Sequence, residues 1–170
     1  DAQAFVQVGC PITPGETLDA SSSTTNPIDP DCVAWQTSWP EFGTALQPDI
    51  VVVMIGAWEV LDHRVDGRDI RFPSLDWETL VGTALSEAAA AAGSSGAPVV
   101  FLDVACMSGA SDNPGTTSRA DARRVGAVNT LLDEVAATQP DVSVAALSSI
   151  VCPDGDDALT INGSPVRYDG

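Results

Sequence analysis

The chain has 170 residues, which is enough for one domain with a sizeable hydrophobic core. Its 24 acidic residues against 7 basic ones give a net charge of -17, which argues against binding to nucleic acid or to an anionic membrane surface. An apolar content of 44% is ordinary for a globular protein, and no apolar run approaches the roughly 20 residues that span a bilayer. The first residues carry no signal-peptide pattern, so any export signal or anchor is expected outside this segment.

The spacing of the cysteines favours disulfides over a metal site. Cys10, Cys32, Cys106 and Cys152 form no CxxC pair, and the single histidine cannot complete a usual zinc set. We therefore expect two disulfides, Cys10–Cys32 as the local pair and Cys106–Cys152, with no metal or other cofactor. Disulfides would place the protein in an oxidising compartment. The alternative is four buried free thiols in a cytosolic protein.

The first part of the chain predicts a strand at residues 5–8 and then a long loop. Residues 12–31 are rich in Ser, Thr, Pro and Asp and have no periodicity, so the first disulfide would tether them. Trp35 and Trp39 are four positions apart and share one face of a short helix or turn before Pro40. Core packing is the favoured interpretation for both rings, ahead of a platform for ligand stacking.

The chain is organised around residues 49–62. The unbroken apolar run at 50–55 predicts a strand buried on both faces, as in a parallel sheet covered by helices. Ligands bind beyond the carboxyl ends of strands in such sheets. Gly56, Trp58 and Glu59 therefore lie where chemistry is expected.

A polar excursion follows at residues 62–72, with a turn signal in the Asp-Gly pair at 66–67. The single histidine, His63, lies in this excursion between Asp62 and Arg64. A lone histidine can act as a base, but these charged neighbours favour a solvated loop residue.

Two helices and two further strands follow. Ser74 is predicted to cap a helix that ends near Ala92 and covers the sheet. Residues 98–105 predict a second buried strand, in which Asp103 either faces the crevice or pairs with an arginine. A third strand is predicted at residues 141–147, and the Asn-Gly pair at 162–163 predicts a two-residue hairpin.

The second helix is predicted to begin at a capping box formed by Ser118 and Asp121 and to end near Ala137. Asn129 falls on the inner face of this helix. A buried amide must be hydrogen-bonded, so we expect Asn129 to tie the helix to a loop.

The order strand, helix, strand, helix, strand predicts a single α/β domain over residues 1–170. No self-contained catalyst is visible in the sequence. There is no Gly-x-Ser-x-Gly nucleophile elbow, no glycine-rich phosphate loop and no His–carboxylate cluster at metal spacing. Most of the many carboxylates are expected to be solvated.

Short motifs along nearly the whole chain nevertheless resemble the SGNH/GDSL hydrolase superfamily. The nearest likeness is to the exported SGNH domains fused behind membrane-bound O-acyltransferases of actinobacteria. The motifs are Gly-Cys-Pro-Ile at 9–12, Cys32 with Trp35 and Trp39, Pro-Asp-Ile-Val-Val-Val at 48–53, Gly-Ala-Trp-Glu-Val-Leu-Asp at 56–62, Gly-Ala-Pro-Val-Val at 96–100, Ala-Cys at 105–106, Asn-Thr-Leu-Leu at 129–132, Cys-Pro at 152–153 and Gly-Ser-Pro-Val-Arg-Tyr-Asp-Gly at 163–170.

The resemblance implies a three-layer α/β/α, flavodoxin-like fold with a parallel sheet, a Ser-His-Asp triad and an oxyanion hole. It implies that the backbone N–H of Gly9 helps to bind the oxyanion and that Asp169 is the triad aspartate. Gly56, Trp58 and Glu59 match the third block, in which many relatives have an oxyanion-hole asparagine where Trp58 stands. The nucleophilic serine and the histidine would then lie outside residues 1–170, as would the first strand of the sheet. We therefore expect a domain truncated at both ends and inactive by itself.

Three functions remain open at this stage. The resemblance favours an extracytoplasmic serine esterase or O-acyltransferase domain, fused to a membrane acyltransferase, that acts on acyl esters of cell-surface glycans, in particular acetyl esters. A non-catalytic module that binds a glycan or a partner protein is the second, which the tryptophan at position 58 favours. A fragment of a secreted esterase or lipase is the third, and it is disfavoured because no broad apolar lipid-binding stretch is visible.

Overall fold

A computed structural model of the chain describes residues 2–3, 9–18, 20, 25–107, 116–153, 160–161 and 164–165. The strands in this part are β1 (Glu16–Leu18), β2 (Thr25–Asn26), β3 (Val51–Met54), β4 (Asp62–Val65), β5 (Arg68–Ile70), β6 (Val99–Leu102), β7 (Val142–Ala145), β8 (Thr160–Ile161) and β9 (Ser164–Pro165). The α-helices are α1 (Trp35–Leu46), α2 (Leu75–Ala92), α3 (Thr116–Ala120), α4 (Ala122–Thr138) and α5 (Ser148–Val151). The strand predicted at residues 5–8 lies outside the described residues.

The molecule is a mixed α/β protein with a three-stranded parallel sheet in the order β3-β6-β7. Val51, Val99 and Val142 are in register across the three strands, and so are Val53, Phe101 and Val144. These residues belong to the hydrophobic core or pack against it. The three predicted parallel strands are therefore confirmed, with β7 shorter than the predicted stretch 141–147.

Helix α2 forms because its sequence carries both a cap and an apolar stripe. The Ser74 side chain accepts a hydrogen bond from the Trp77 N–H at 3.2 Å, as expected of an N-cap. The predicted stripe is buried as a whole; its members are Trp77, Val81, Ala84, Leu85 and Ala88. Helix α2 packs against both α1 and α4.

The prediction that β3 is buried on both faces is wrong. Ile50, Val52 and Met54 are 53%, 57% and 73% exposed, whereas Val53 on the opposite face is 7% exposed. The apolar run identifies a strand, but burial of its second face depends on whether another layer covers it. In the part of the chain that the structure describes, only one face of β3 is covered.

The segment predicted as an unstructured loop at 12–31 contains two short strands. Strand β1 pairs antiparallel with β2 on one side and with β4 on the other, and β4 pairs with β5. The predicted turn at 66–67 is confirmed and joins β4 to β5, with φ of 51° at Asp66 and 77° at Gly67. Strands of two to four residues are too short to show a hydrophobic period.

Two helix boundaries differ from the prediction. Pro40 lies inside α1 rather than after it. The rings of Trp35 and Trp39 contact each other in a tilted arrangement, with centroids 5.3 Å apart, and pack in or against the core. Their packing outweighs the hydrogen bond that a proline removes from a helix. Ser118 belongs to α3, and Asp121 is itself the N-cap of α4, accepting from the Arg123 N–H at 3.0 Å. The predicted capping box is therefore wrong.

Both predicted disulfides are present, Cys10–Cys32 and Cys106–Cys152. Such bonds are typical of proteins in oxidising compartments. On either side of the predicted hairpin turn at 162–163, β8 pairs antiparallel with β9. Among the helices that the structure describes, none has the length and apolar character needed to cross a membrane.

Candidate functional site at the carboxyl end of β3

Two loops meet where β3 ends. The first is the 9–13 loop (residues 9–13), and the second is the 56–59 turn (residues 56–59). Gly9 has a φ of 78°, and a Cβ atom at this position would lie 3.7 Å from the Trp58 ring. Gly56 has a φ of 110°, and a Cβ atom there would overlap the side chain of Val104. Both positions therefore need the freedom of glycine, and the two loops are in close contact.

The carboxylate of Glu59 joins the 9–13 loop to the 56–59 turn. Glu59 is 1% exposed; its Oε1 accepts from the Ile12 N–H at 2.7 Å, and its Oε2 accepts from the Gly56 N–H at 2.8 Å. Burial raises the pKa of Glu59, and the backbone N–H groups around it act in the opposite direction. The Gly56 N–H is therefore directed at Glu59 and not towards solvent or a ligand.

Trp58 is covered on one side by Arg119 of α3. The guanidinium carbon of Arg119 lies 4.1 Å from the centroid of the Trp58 ring, and its Nε donates to the Ala57 carbonyl at 2.9 Å. Because of this cation–π contact, only the other face of the indole could contact a ligand. The sequence prediction did not include Arg119. One feature of the sequence indicated a role for it. With only seven arginines among 24 acidic residues, each arginine is expected to have a specific partner.

His63 is buried, so its prediction as a solvated loop residue is wrong. It lies in β4, opposite Thr17 of β1, with 0% exposure, and its Nδ1 is 3.2 Å from the Thr13 hydroxyl. Strand pairing places it inside, and the local charges on which the prediction rested have partners elsewhere in the chain. His63 is the one histidine in the chain, and it is not placed as a catalytic base.

The burial of His63 predicts an acid-sensitive fold. Burial lowers the pKa of His63 from 6.5 to about 4, with Arg124 acting in the same direction and Asp62 in the opposite one. The folded state therefore favours neutral imidazole, and its contribution to stability is complete above pH 6.5 and is lost as the pH falls towards 4. We expect a loss of about 3 kcal/mol over this window, since each pH unit between the unfolded and folded pKa values corresponds to about 1.4 kcal/mol.

Urea unfolding of the wild type and of His63→Gln between pH 7 and pH 4 would measure this contribution. The difference in unfolding free energy between the two proteins removes the contribution of the carboxylates, which both share. A difference that stays constant across the window would contradict a buried neutral His63.

A buried ion pair supports the 56–59 turn from behind. Arg124 of α4 donates to Asp62 Oδ1 and to the Val60 carbonyl, both at 2.8 Å, with side-chain exposures of 5% for Arg124 and 2% for Asp62. Asp62 also accepts from the Phe72 N–H at 3.0 Å. The segment that follows the 56–59 turn is thereby attached to helix α4.

Asn129 and Asp103 both fix the chain beyond β6. Asn129 donates to the Val104 carbonyl at 3.0 Å and accepts from the Val104 N–H at 2.8 Å, so the predicted tie between helix and loop is confirmed. Asp103 was predicted to face the crevice or to pair with an arginine. It instead accepts from the backbone N–H of Ser148 at 2.7 Å and from the Ser148 hydroxyl, at the start of α5.

The structure thus brings together Gly9, Gly56, Trp58 and Glu59, each of which the sequence placed at the site. Asp169, the predicted triad aspartate, lies outside the described residues. Within the ranges that the structure describes, no three His, Cys, Asp or Glu side chains come close enough to hold a metal ion.

No curated protein matches the chain. The model of a family described as "Protein of unknown function (DUF459)" matches residues 15–157, which is most of the chain. This family is related to the SGNH-like hydrolases. Because this match covers most of its length, the chain belongs to DUF459.

Proposed function

We propose that the chain is the central part of an SGNH-type serine esterase or O-acyltransferase domain with a flavodoxin-like fold. The observation that carries the proposal is the close approach of Gly9 to Trp58, where a Cβ atom on the glycine would lie 3.7 Å from the indole ring. Two of the motifs on which the resemblance rests are far apart in sequence and adjacent in space. They meet at the carboxyl end of β3, where α/β proteins bind their ligands.

In this proposal, the backbone N–H of Gly9 stabilises the oxyanion of the tetrahedral intermediate, and Asp169 orients the histidine. The nucleophilic serine would precede residue 1 and the histidine would follow residue 170. The one histidine of the chain, His63, is buried and hydrogen-bonded to Thr13, which supports placing the catalytic base elsewhere. Losing an oxyanion donor typically costs about 100- to 1000-fold in turnover, so the exchange of asparagine for Trp58 makes the Gly9 amide more important.

In the part of the chain that the structure describes, one face of β3 is uncovered, and this supports the same proposal. Ile50, Val52 and Met54 are more than half exposed, and soluble domains rarely leave such a contiguous apolar surface without a partner. A further strand and helix layer from the rest of the protein would bury these side chains and complete a three-layer fold. The two disulfides and the net charge of -17 support a location outside the cytoplasmic membrane.

The proposed substrate is an acyl ester of a cell-surface glycan, with acetyl as the acyl group. A small acyl group suits a site bounded by Trp58 and Gly9, where the Arg119 guanidinium already covers one face of the indole. Transfer to a second sugar and hydrolysis by water would use the same nucleophile and the same oxyanion donors.

Labelling of the full-length protein with a fluorophosphonate, together with p-nitrophenyl acetate hydrolysis, would test the proposed function. We expect covalent labelling of one serine and turnover in the full-length protein, and neither in residues 1–170 alone. Absence of both in the folded full-length protein would favour the non-catalytic binding module. Turnover by residues 1–170 alone at ordinary enzyme rates would show a different catalytic group within this chain.

A further inference from the structure

Glu59 is a buried acid whose two oxygens both accept hydrogen bonds from backbone N–H groups. The Ile12 N–H is 2.7 Å from Oε1 and the Gly56 N–H is 2.8 Å from Oε2. Ile12 is 47 residues away in sequence, so the carboxylate spans two separate parts of the chain. Burying a carboxylate is unfavourable, and burial raises the pKa of this one. Hydrophobic packing therefore does not explain why a glutamate occupies position 59.

The chemistry of the two donors explains why this side chain is an acid. Both partners are N–H groups, so each needs an acceptor. A carboxylate offers only acceptors, whereas a glutamine amide would direct an NH₂ donor at one of the two N–H groups. An aspartate is one methylene shorter and would not span both partners. Glutamate is therefore the side chain that satisfies Ile12 and Gly56 together.

The position of the 9–13 loop depends on this link and on two others. Cys10 is bonded to Cys32, and the Thr13 hydroxyl contacts His63. Only the hydrogen bond between Glu59 and Ile12 ties this loop directly to the 56–59 turn among these three links. Glu59 follows Trp58 in sequence. The hydrogen bond from Ile12 to Glu59 therefore also determines the distance between the 9–13 loop and the Trp58 indole.

We propose that Glu59 is a positioning residue, whose carboxylate sets the separation between the backbone of the 9–13 loop and Trp58 without touching the substrate. The proposal rests on the proposed function, in which the Gly9 amide binds the oxyanion. Loss of the link would let Gly9 move relative to the reacting carbonyl. A displacement of about 1 Å can cost about 100-fold in rate.

The test uses the full-length protein with Glu59→Gln, which keeps the shape of the side chain. We expect kcat for p-nitrophenyl acetate to fall by about 10- to 100-fold with KM changed by less than about threefold, since positioning acts on the transition state. Two control variants should keep the wild-type kcat. Glu78→Gln removes the same charge from an exposed position on α2. Val81→Ala destabilises the core at a buried position on α2 that takes no part in the hydrogen bonds of Glu59.

Hydrogen exchange in the same proteins tests the link without any activity. In the wild type, the amides of Ile12 and Gly56 should both be protected. In Glu59→Gln, the amide that faces the new NH₂ group should exchange at least about tenfold faster, which is the loss of one hydrogen bond. Unprotected exchange at Ile12 in the wild type would overturn the proposal even if the variant failed to fold. Faster exchange with unchanged kcat would equally overturn the positioning role.

The two proposals fail in distinguishable ways. If the wild type shows no turnover, the proposed function fails, and the catalytic positioning role of Glu59 fails with it. If the wild type turns over and Glu59→Gln keeps full kcat, only the role of Glu59 fails. Reduced kcat in Val81→Ala as well would show that general destabilisation lowers the rate, and this too would overturn a specific role for Glu59.

Discussion

Replacing Arg124 with methionine should destabilise the fold by about 3–5 kcal/mol, a large part of the stability of a domain of this size. The substitution removes the donor to the Val60 carbonyl and the closer partner of Asp62, which is 2% exposed. Asp62 keeps only a longer pair with the half-exposed Arg71 at 3.3 Å, so we expect the lower end of this range. Methionine fills much of the volume of the arginine stem, although it loses the guanidinium that lies 4.8 Å from the centroid of the Phe72 ring. Lost packing should therefore contribute less than the lost charge. Urea denaturation at pH 7 would measure the change.

The neighbouring arginine provides a matched control. Arg123 pairs with Asp121 at 2.7 Å, but the Arg123 side chain is 79% exposed, so Arg123→Met should cost no more than about 1 kcal/mol. The double variant Asp62→Asn/Arg124→Met removes both charges and should be less destabilised than the sum of its single variants. Equal effects at 123 and 124, or strict additivity at 62 and 124, would contradict a buried ion pair.

The contrast between these two arginines shows where sequence reasoning stops. Arg123 and Arg124 are adjacent, and nothing local distinguishes the exposed one from the buried one. The partner of Arg124 is 62 residues away, at the start of β4. His63 was predicted wrongly for the same reason, because its charged neighbours suggested a surface while strand pairing placed it inside.

Features with a local physical cause could be predicted. The cap and apolar stripe of α2 lie within one segment, and the Asn129 amide on the inner face of α4 needed a partner, which Val104 provides. The glycines at 9 and 56 were placed at the site by motif, and their positive φ angles give the physical reason for them.

Features that depend on other layers could not be predicted. The apolar run of β3 suggested burial on both faces, but the exposed side of the strand is decided by elements far away in sequence. The short strands β1 and β2 exist because β4 offers a partner, not because their own residues are periodic. The link from Glu59 to Ile12 belongs to the same class, since it requires two loops to be brought together first.

Removing the disulfide between Cys106 and Cys152 by substituting both cysteines with serine should cost about 4 kcal/mol. The bond closes a loop with a sequence separation of 46, and the entropy of the unfolded chain rises with the logarithm of that length when the bond is removed. The bond attaches the end of α5 to the segment after β6, and the Cys106 N–H also donates to the Cys152 sulfur at 3.0 Å. Guanidinium denaturation of the oxidised wild type and the variant would measure the cost.

The other disulfide provides the comparison that separates stability from function. Cys10–Cys32 has a sequence separation of 22, so its removal should cost about 3 kcal/mol, somewhat less than removal of the longer loop. It holds the 9–13 loop, however, so its loss should expose the Ile12 amide to faster exchange, while loss of Cys106–Cys152 should not. The entropy of the unfolded chain predicts that the disulfide with the longer loop stabilises the fold more. If the disulfide with the shorter loop proved the more stabilising, packing around each bond in the folded state would dominate instead.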